Sequence, residues 1–345
     1  MKDDNPIDGV VGGPIRHVPV MLNEVLACLA PDAEKLIVDG TFGAGGYSSA
    51  ILETGARVIA IDRDPSAIRG GAQLQDRFKE KLMLVQGEFS QLDKISTDLG
   101  FNAVDGVVLD IGVSSMQLDE VARGFSFRND GPLDMRMAQS GISARDVVNH
   151  VDQKDLTRII GILGDEKKAS SISRAIVRER QKNYIDGTGQ LASIVASVSP
   201  RRFQDKIHPA TRTFQALRIF VNQELEQLAQ ALFAAERALK SGGQLAVVTF
   251  HSLEDRLVKL FFKDRVGGQQ GSRHLPIVKE RQASFELGPK HLIKPRLAET
   301  QRNPRSRSAK LRCGQRTGHE PMKSDMSIFG LPNLVSLSAF SSRGE

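Results

Sequence analysis

Short apolar runs alternate with amphipathic stretches along most of the chain, a pattern typical of a parallel sheet with helices on both faces. Five runs are short and almost continuously apolar, as buried parallel strands are: Leu36–Val38, Val58–Ile61, Leu82–Val85, Val104–Leu109 and Gln244–Phe250. Helical patterns, including one from about Tyr47 to Glu53, lie between these runs. The sequence therefore predicts an α/β fold with a doubly wound sheet.

About 130 residues separate the fourth run from the fifth, far more than one crossover helix needs. The segment from Phe127 to His208 contains four helical patterns and no clear strand: Val147–Val151, Leu156–Leu163, Ala169–Lys182 and Leu191–Val198. We therefore expect an all-helical domain, residues 127–208, inserted into a discontinuous main domain of residues 1–126 and 209–345.

After this insert, His208–Arg212 predicts a turn and then one long helix that ends at about Leu239. Its apolar positions recur at helical spacing and predict a buried face: Phe214, Leu217, Val221, Leu225, Leu228 and Leu232. A neighbouring polar stripe could line a pocket or face water: Gln215, Arg218, Asn222 and Glu226. After the fifth strand, His251 and Asp255 are candidate site residues, although an N-cap role for Ser252 explains this segment equally well.

A glycine-rich loop follows the first predicted strand and carries the clearest functional signal. It contains Gly40, Gly43, Gly45 and Gly46, and the second strand ends in Asp62, 19 residues after Gly43. Glycines let a ligand approach the backbone and allow positive φ, while the acid is placed to accept both hydroxyls of a ribose. Together they form half of a nucleotide-binding βαβ unit and predict an adenosine-bearing cofactor.

The order of residues in this loop distinguishes between cofactors. A dinucleotide site favours G-x-G-x-x-G, whereas this chain has Gly43-Ala-Gly45-Gly46 with Asp39 before it. An acid at that point disfavours a pyrophosphate and suits the ammonium and sulfonium groups of S-adenosylmethionine. The loop favours this methyl donor over a nicotinamide dinucleotide, and a tight turn without a ligand is the third alternative.

The fourth strand ends in Asp110-Ile-Gly-Val-Ser-Ser115, close to where the donor methyl would lie. The chain lacks the Pro-Pro-aromatic element that follows an acid, Ser or Asn in amine methyltransferases of DNA. Neither Cys28 nor Cys313 is near this strand, which excludes covalent attack on a pyrimidine carbon. The two cysteines have no C-x-x-C spacing, so we expect reduced thiols and no metal site.

Charge is distributed unevenly over the 345 residues, whose net charge is +6. Between Arg265 and Arg316 the chain has 13 Lys or Arg and three acids, with four prolines, which favours contact with nucleic acid over a merely solvated loop. Arg174, Arg178 and Lys182 form a stripe at helical spacing that is either solvated or bound to RNA. No stretch approaches 18 apolar residues and no signal-like start is present, so a cytoplasmic protein without membrane contact is expected.

Eight motifs in a fixed order carry a family resemblance that runs from about His17 to Arg312. They are His17–Val20, Asp39–Gly43, Leu109–Ser115, Gly124–Arg128, Asp130–Met137, His208–Phe214, Phe250–Arg256 and Asn303–Arg307. With these motifs the chain resembles the RsmH (MraW) family, bacterial methyltransferases that modify the exocyclic amine of one cytidine in small-subunit (16S) ribosomal RNA. The resemblance implies a Rossmann-like, S-adenosylmethionine-dependent methyltransferase domain with a helical insertion.

The resemblance also implies site residues and partners. Donor contacts are expected at Gly45, Gly46, Tyr47, Asp62, Phe89, Asp110 and Gln117. Many relatives have His at the position of Tyr47, so contact through its backbone or its side chain stays open. Asp110, or the carbonyl of Ile111, could accept hydrogens of the cytidine amine during direct in-line displacement.

The expected partner is small-subunit ribosomal RNA or a ribosomal particle. RNA contacts are expected at six basic residues: Arg174, Arg178, Lys182, Arg302, Arg305 and Arg307. Two other classes stay open, a nicotinamide-dependent dehydrogenase and a non-catalytic RNA-binding or assembly protein. The presence of both Asp62 and Asp110 argues against the second of these.

Overall fold

The computed structural model describes residues 19–200, 207–267 and 282–337, and within these ranges the strands form one sheet. The strands are β1 (Leu36–Asp39), β2 (Arg57–Asp62), β3 (Leu82–Gln86), β4 (Val104–Asp110), β5 (Leu239–Thr249), β6 (Phe285–Glu286), β7 (Leu292–Ile293) and β8 (Lys310–Arg316). The order across the sheet is β3-β2-β1-β4-β5-β8-β6, with β7 also paired to β8. Strands β1 to β5 are parallel, and β8 is antiparallel to β5.

Helices cover both faces of this sheet. They are α1 (Leu22–Leu29), α2 (Gly46–Glu53), α3 (Pro65–Gly70), α4 (Ala72–Phe78), α5 (Leu92–Asp98), α6 (Ser115–Asp119), α7 (Ala144–His150), α8 (Gln153–Leu163), α9 (Ala169–Arg180), α10 (Thr188–Val198), α11 (Thr211–Val221), α12 (Glu224–Ala238), α13 (Ser252–Arg265) and α14 (Leu297–Arg302). Short 3₁₀ turns lie at Lys79–Lys81, Phe89–Gln91, Val121–Arg123, Pro304–Ser308 and Met326–Phe329.

Successive strand residues enter different apolar clusters, as the pleat of a sheet covered on both sides requires. In β1, Val38 joins a cluster with α12, while Ile37 joins a second cluster with α1 and α2. In β4, Leu109 and Val108 divide in the same way. The prediction of a doubly wound α/β sheet is confirmed, and its five apolar runs correspond to β1 to β5.

Strand β8 was not predicted, because charged side chains hide its apolar face. Leu311 is fully buried, whereas the neighbouring Lys310 and Arg312 each form an ion pair with Asp255 of α13, at 2.7 Å. Strand β8 lies between β5 on one side and β6 and β7 on the other, and because charged residues paired from a helix alternate with its buried ones it has no apolar run of its own. The ion pairs with α13 allow the charged side chains of β8 to lie in the sheet.

The polypeptide between α6 and α11 forms the helices α7 to α10. Their apolar side chains belong to the same cluster that covers one face of the sheet, with Ile159 and Ile160 of α8 fully buried in it. Arg180 fastens α9 to α7 by donating to the carbonyls of Val148 and Val151, at 2.9 and 2.8 Å. The helices of this segment therefore share a continuous core with the main sheet.

The predicted long helix after His208 is wrong in one respect, since it is two helices. Helix α11 ends at Val221 and α12 begins at Glu224, with Gln223 between them at a φ of 50°. The break is fixed by Asn222, whose amide donates to the carbonyl of Met135 and accepts from the backbone of Met137. These partners are remote in sequence, so helical periodicity alone gave no sign of the break.

Part of the basic stretch also has a structural role that its composition did not reveal. Arg265 is completely buried and forms an ion pair with Glu236 at 2.8 Å, while Arg316 donates to three backbone carbonyls. Residues 268–281 of this stretch lie outside the described part. Among the helices in the described ranges, none combines the length and apolarity that crossing a bilayer requires.

Candidate cofactor and substrate site

A cavity of about 440 Å³ opens at the carboxyl ends of β1, β2 and β4. This is the edge of the sheet where ligands bind in doubly wound folds. Six of the seven predicted donor contacts line it: Gly46, Tyr47, Asp62, Phe89, Asp110 and Gln117. Gly45, the seventh, is the N-cap residue of α2 and does not line the cavity.

Two adjacent positions of the loop after β1 need glycine for different reasons. Gly45 has a φ of 76°, a left-handed conformation that other residues adopt at a cost. At Gly46 a Cβ atom would lie 2.3 Å from Cγ of Pro19, which no side chain tolerates. The loop is therefore held close to Pro19, and the first turn of α2 is exposed to the cavity.

Asp62 closes the loop with both of its side-chain oxygens. Oδ2 accepts from the backbone N–H of Gly43 and Oδ1 from that of Asp64, each at 2.8 Å. Burial raises the pKa of Asp62, and these two hydrogen bonds oppose that effect. Each carboxylate oxygen can accept more than one hydrogen bond, so Asp62 can still receive two ribose hydroxyls.

Asp39 does not face a cation as the sequence suggested. Its side chain is fully buried, does not line the cavity, and accepts from the Ser48 hydroxyl at 2.7 Å and from the Thr41 N–H at 3.2 Å. Burial raises the pKa of Asp39 to about 6. Asp39 thus ties the loop to α2 from behind the cavity wall.

Tyr47 and Gln117 have side chains that are already engaged within the protein. The Tyr47 hydroxyl donates to the carbonyl of Val20, and its ring is buried. The Gln117 amide accepts from Ser114 N–H at 3.1 Å, in a capping box of α6, and donates to Asp64 at 2.9 Å. These contacts favour the backbone of Tyr47, at the start of α2, as the part that meets a ligand.

Asp64 was missed by the sequence reasoning although it organises one side of the site. It caps α3 and forms a buried ion pair with Arg123 at 2.7 Å. Burial acts to raise its pKa, but hydrogen bonds from Gln117 and Arg123 outweigh this and lower the pKa of Asp64. The only signal in the sequence was the second acid of Asp62-Arg-Asp64.

Asp110 differs from these carboxylates because one of its buried oxygens has no partner. Its backbone N–H donates to the Thr41 hydroxyl at 2.7 Å, but Oδ1 has no hydrogen bond among the described residues. Burial, together with the nearby charges of Asp39 and Glu254, raises the pKa of Asp110 well above its ordinary value. An unpaired buried acceptor is costly, so a ligand that brings an N–H donor or a positive charge is favoured here.

One ion pair and one histidine lie at the opposite wall of the cavity. The Arg218 guanidinium holds both oxygens of Glu224 at 2.8 Å, and Nε2 of His251 lies 2.8 Å from Glu254. Glu224, His251 and Glu254 offer possible metal ligands within 4.8 Å of one another. Since Arg218 already binds both Glu224 oxygens, this wall is organised around a guanidinium group rather than a metal ion.

The two candidates after the fifth strand have different roles. His251 lines the cavity and is itself the N-cap of α13, so the interpretation of Ser252 as the cap is wrong by one residue. Asp255 does not line the cavity and instead accepts hydrogen bonds from Lys310 and Arg312 of β8. In the predicted polar stripe, Gln215 and Arg218 line the cavity, whereas Asn222 and Glu226 do not.

The six predicted RNA contacts are exposed but lie in two parts of the chain. Of these six, Arg305 lines the cavity, and it pairs with Asp119 at 3.2 Å. On α9 and just beyond it, Arg178 and Lys182 both pair with Glu179, at 3.3 and 3.1 Å. Their positive charge is therefore partly offset within the protein.

Comparison with known proteins identifies strong relatives. The model of the MraW methylase family matches residues 14–317. Proteins called ribosomal RNA small subunit methyltransferase H are similar along most of the chain. The protein from Rhizobium rhizogenes is 59% identical, over 94% of this chain and 95% of its own length. The protein from Agrobacterium fabrum is 57% identical over the same shares of the two chains. A solved structure described as a putative rRNA-methylase from Clostridium thermocellum is 13% identical with a TM-score of 0.41, covering 87% of this chain and 99% of that one.

Proposed function

Because the chain belongs to the MraW methylase family, we propose that it transfers a methyl group from S-adenosylmethionine to the exocyclic amine of one cytidine in small-subunit (16S) ribosomal RNA. The observation that carries this proposal is a single cavity containing both Asp62 and Asp110. Asp62 suits the ribose of the donor, and Oδ1 of Asp110, which has no hydrogen bond within the described ranges, suits the place where methyl and amine meet.

The residues present fit S-adenosylmethionine at each part of this cavity. The first turn of α2 offers backbone N–H groups, and Gly46 leaves no side chain in the way. Phe89 offers a ring beside which an adenine can lie, and Asp62 offers acceptors for the ribose. Two partly buried acids, Asp62 and Asp110, compensate a cationic ligand.

The reaction proposed is direct in-line displacement. When bound, S-adenosylmethionine supplies an activated methyl group, and the amine nitrogen takes it while the carbon–sulfur electron pair stays on sulfur. The chief task of the protein is to hold the two reactants in line. Asp110, or the carbonyl of Ile111, accepts a hydrogen bond from the amine and so favours the pyramidal, nucleophilic form of the nitrogen. The raised pKa of Asp110 also suits it to take the proton that the amine releases.

The helical segment, residues 127–208, is proposed as an inserted RNA-recognition domain within a main domain of residues 1–126 and 209–345. Support comes from its exposed Arg174, Arg178 and Lys182. A cytidine in a duplex must be flipped out to reach the cavity. We also propose that the protein acts in the cytoplasm and that its RNA substrate is part of a ribosomal particle.

The test is methyl transfer to small ribosomal subunits from a strain that lacks this protein. With labelled S-adenosylmethionine, we expect one N4-methylated cytidine in the RNA, located by mass mapping. Subunits from the parent strain are the control and should accept no further label. Label on carbon five, or on no RNA, would contradict the proposal.

The dehydrogenase alternative is tested separately by thermal shift. S-adenosylhomocysteine should raise the melting temperature of the protein, because it fits the cavity beside Asp62. NADH should leave that temperature unchanged, since the loop gives its pyrophosphate no suitable motif. Stabilisation by NADH alone would support the dehydrogenase.

A further inference from the structure

A second, polar groove of about 410 Å³ adjoins the donor cavity. Its lining combines guanidinium, hydroxyl and amide groups with a small apolar floor: Leu118, Asp119, Val121, Ser126, Arg128, Asn129 and Arg305. Leu118 and Arg305 line both spaces, so the groove and the cavity are neighbours across a shared wall. We propose that this groove holds the ribose-phosphate of the nucleotide next to the target cytidine, an inference that rests on the proposed function.

Arg305 forms the partition between the two spaces. Its guanidinium reaches from the 3₁₀ turn Pro304–Ser308 to α6, where it donates to the Ser115 hydroxyl and to Asp119. The side chains of Arg305 and Asp119 are 41% and 69% exposed, so their ion pair contributes little and a phosphate can replace the carboxylate. A guanidinium has five N–H donors, which leaves several free for phosphate oxygens.

Arg128 provides the second cation of the groove. It is exposed and, within the part of the chain that the structure describes, forms no ion pair. Two arginines against the single acid Asp119 give the groove a positive balance. Such guanidinium groups recognise phosphate in two-pronged geometry.

The remaining lining suits a sugar rather than a free anion. Ser126 and Asn129 offer a hydroxyl and an amide to ribose hydroxyls, and Leu118 and Val121 offer an apolar surface. Val121 is 40% exposed, so it can contact a ribose or a base without rearrangement. A base inserted into the donor cavity leaves its backbone at the mouth, beside Arg305, and the adjoining nucleotide then falls into the groove.

The test measures binding of a small-subunit ribosomal RNA transcript to the full chain over a range of salt concentrations. Arg128→Gln should weaken binding about tenfold and flatten the plot of log affinity against log salt by roughly 0.7 to 0.9, the contribution of one phosphate contact. Arg305→Gln should act in the same direction. Arg128→Lys keeps the charge and should recover most of the salt slope.

Arg77→Gln is the matched control, because Arg77 is similarly exposed and lines neither space. It should bind the transcript as the parent does. Calorimetry with S-adenosylhomocysteine should give the parent affinity for Arg128→Gln, which shows that this variant is folded.

Two results overturn the groove assignment. One is a parental salt slope for Arg128→Gln, and the other is an Arg128→Lys variant as weak and as flat as Arg128→Gln. A parent that binds the transcript through Arg128 yet methylates no cytidine contradicts the proposed function instead, while the groove stands as an RNA site.

Discussion

Asp62 and Asp110 are partly buried carboxylates of one cavity, yet their oxygens meet different partners. Both oxygens of Asp62 hold backbone N–H groups, so this residue shapes the loop as well as offering acceptors. Oδ1 of Asp110 is held by nothing within the described residues. At the scale of single residues, Asp62 is thus built for binding and Asp110 is left available for a reacting group.

Replacing Asp62 tests donor binding. Asp62→Ala should weaken the affinity for S-adenosylhomocysteine by about 2–3 kcal/mol, the range of hydrogen bonds to charged groups. Calorimetry measures the change, with Asp98→Ala, at the exposed end of α5, as the control. An unchanged affinity would place the ribose elsewhere.

Replacing Asp110 separates binding from chemistry. Asp110→Asn keeps the shape and one acceptor oxygen but removes the charge, so methyl transfer in a single turnover should fall much more than donor affinity does. The comparison requires saturating donor and RNA. A variant with the parental single-turnover rate would exclude Asp110 as a catalytic group and leave the carbonyl of Ile111 as the acceptor.

Asp39 gives a dependence of stability on pH whose sign follows from its raised pKa. The folded protein holds this proton more tightly than the unfolded chain, since the pKa is about 6 against an ordinary 3.8. Its contribution to stability is therefore fully present below about pH 3.8 and is lost as the pH rises through about 6, a change of about 3 kcal/mol.

Asp39→Asn removes this proton equilibrium. The stability of the variant relative to the parent should therefore improve by about 2 kcal/mol between about pH 4 and pH 7, as measured by chemical denaturation. Subtracting the parent cancels the titration of groups remote from Asp39, whereas Asp62 and Asp110 are coupled to it by charge and contribute to the difference. A difference that is constant with pH would show that Asp39 does not titrate in this range.

At the scale of elements, the break between α11 and α12 connects the loop before α7 to the cavity. Asn222 satisfies backbone groups of Met135 and Met137, and Met137 lines the cavity. Asn222 itself is buried and does not line the cavity. The turn between two helices thereby fixes one wall of a site that it does not contact.

Removing the Asn222 amide should destabilise the fold. Asn222→Ala leaves a buried carbonyl and a buried N–H without partners, at a cost of about 2–4 kcal/mol in the free energy of unfolding. Gln223→Gly is the control, because a residue at a φ of 50° gains from glycine, and its stability should match or exceed that of the parent. Equal stability of Asn222→Ala and the parent would mean that other groups fix the break.

At the scale of the whole molecule, positive charge is divided between neutralised and available residues. Arg265, Arg312 and Arg316 are buried in ion pairs or backbone contacts and cannot serve RNA. Among the exposed cations, Arg305 lies near the cavity mouth, and Arg174 and Arg178 lie on α9. RNA binding is therefore expected to draw on both regions.

Neutralising the α9 stripe tests this division. A variant with Arg174→Gln, Arg178→Gln and Lys182→Gln should bind the small-subunit transcript more weakly and with a shallower salt dependence. The slope of log affinity against log salt should change by less than the contribution of three phosphate contacts, since Glu179 already pairs with two of the three cations. Affinity for S-adenosylhomocysteine should be retained, and a parental salt dependence would show that the stripe is only solvated.

The sequence by itself determined the parallel sheet, the glycine-rich loop and the helical character of the segment that contains α7 to α10, because these depend on local periodicity and spacing. Strands β1 to β4 are mostly apolar, as is β5 from Leu245 to Val248, and the interval between Gly43 and Asp62 is set by one βα unit. The family motifs added the donor and the RNA substrate class. Each of these features is encoded in neighbouring residues.

Only the tertiary structure decided features that depend on partners remote in the chain. Strand β8 is stabilised by Asp255, and the helix break is stabilised by Met135 and Met137. The buried arginines are held by acids and carbonyls from elsewhere in the chain. It also placed Asp39 behind the cavity wall and gave Oδ1 of Asp110 no partner among the residues that the structure describes. Burial and hydrogen-bond satisfaction are properties of the assembled core, so no local pattern of residues specifies them.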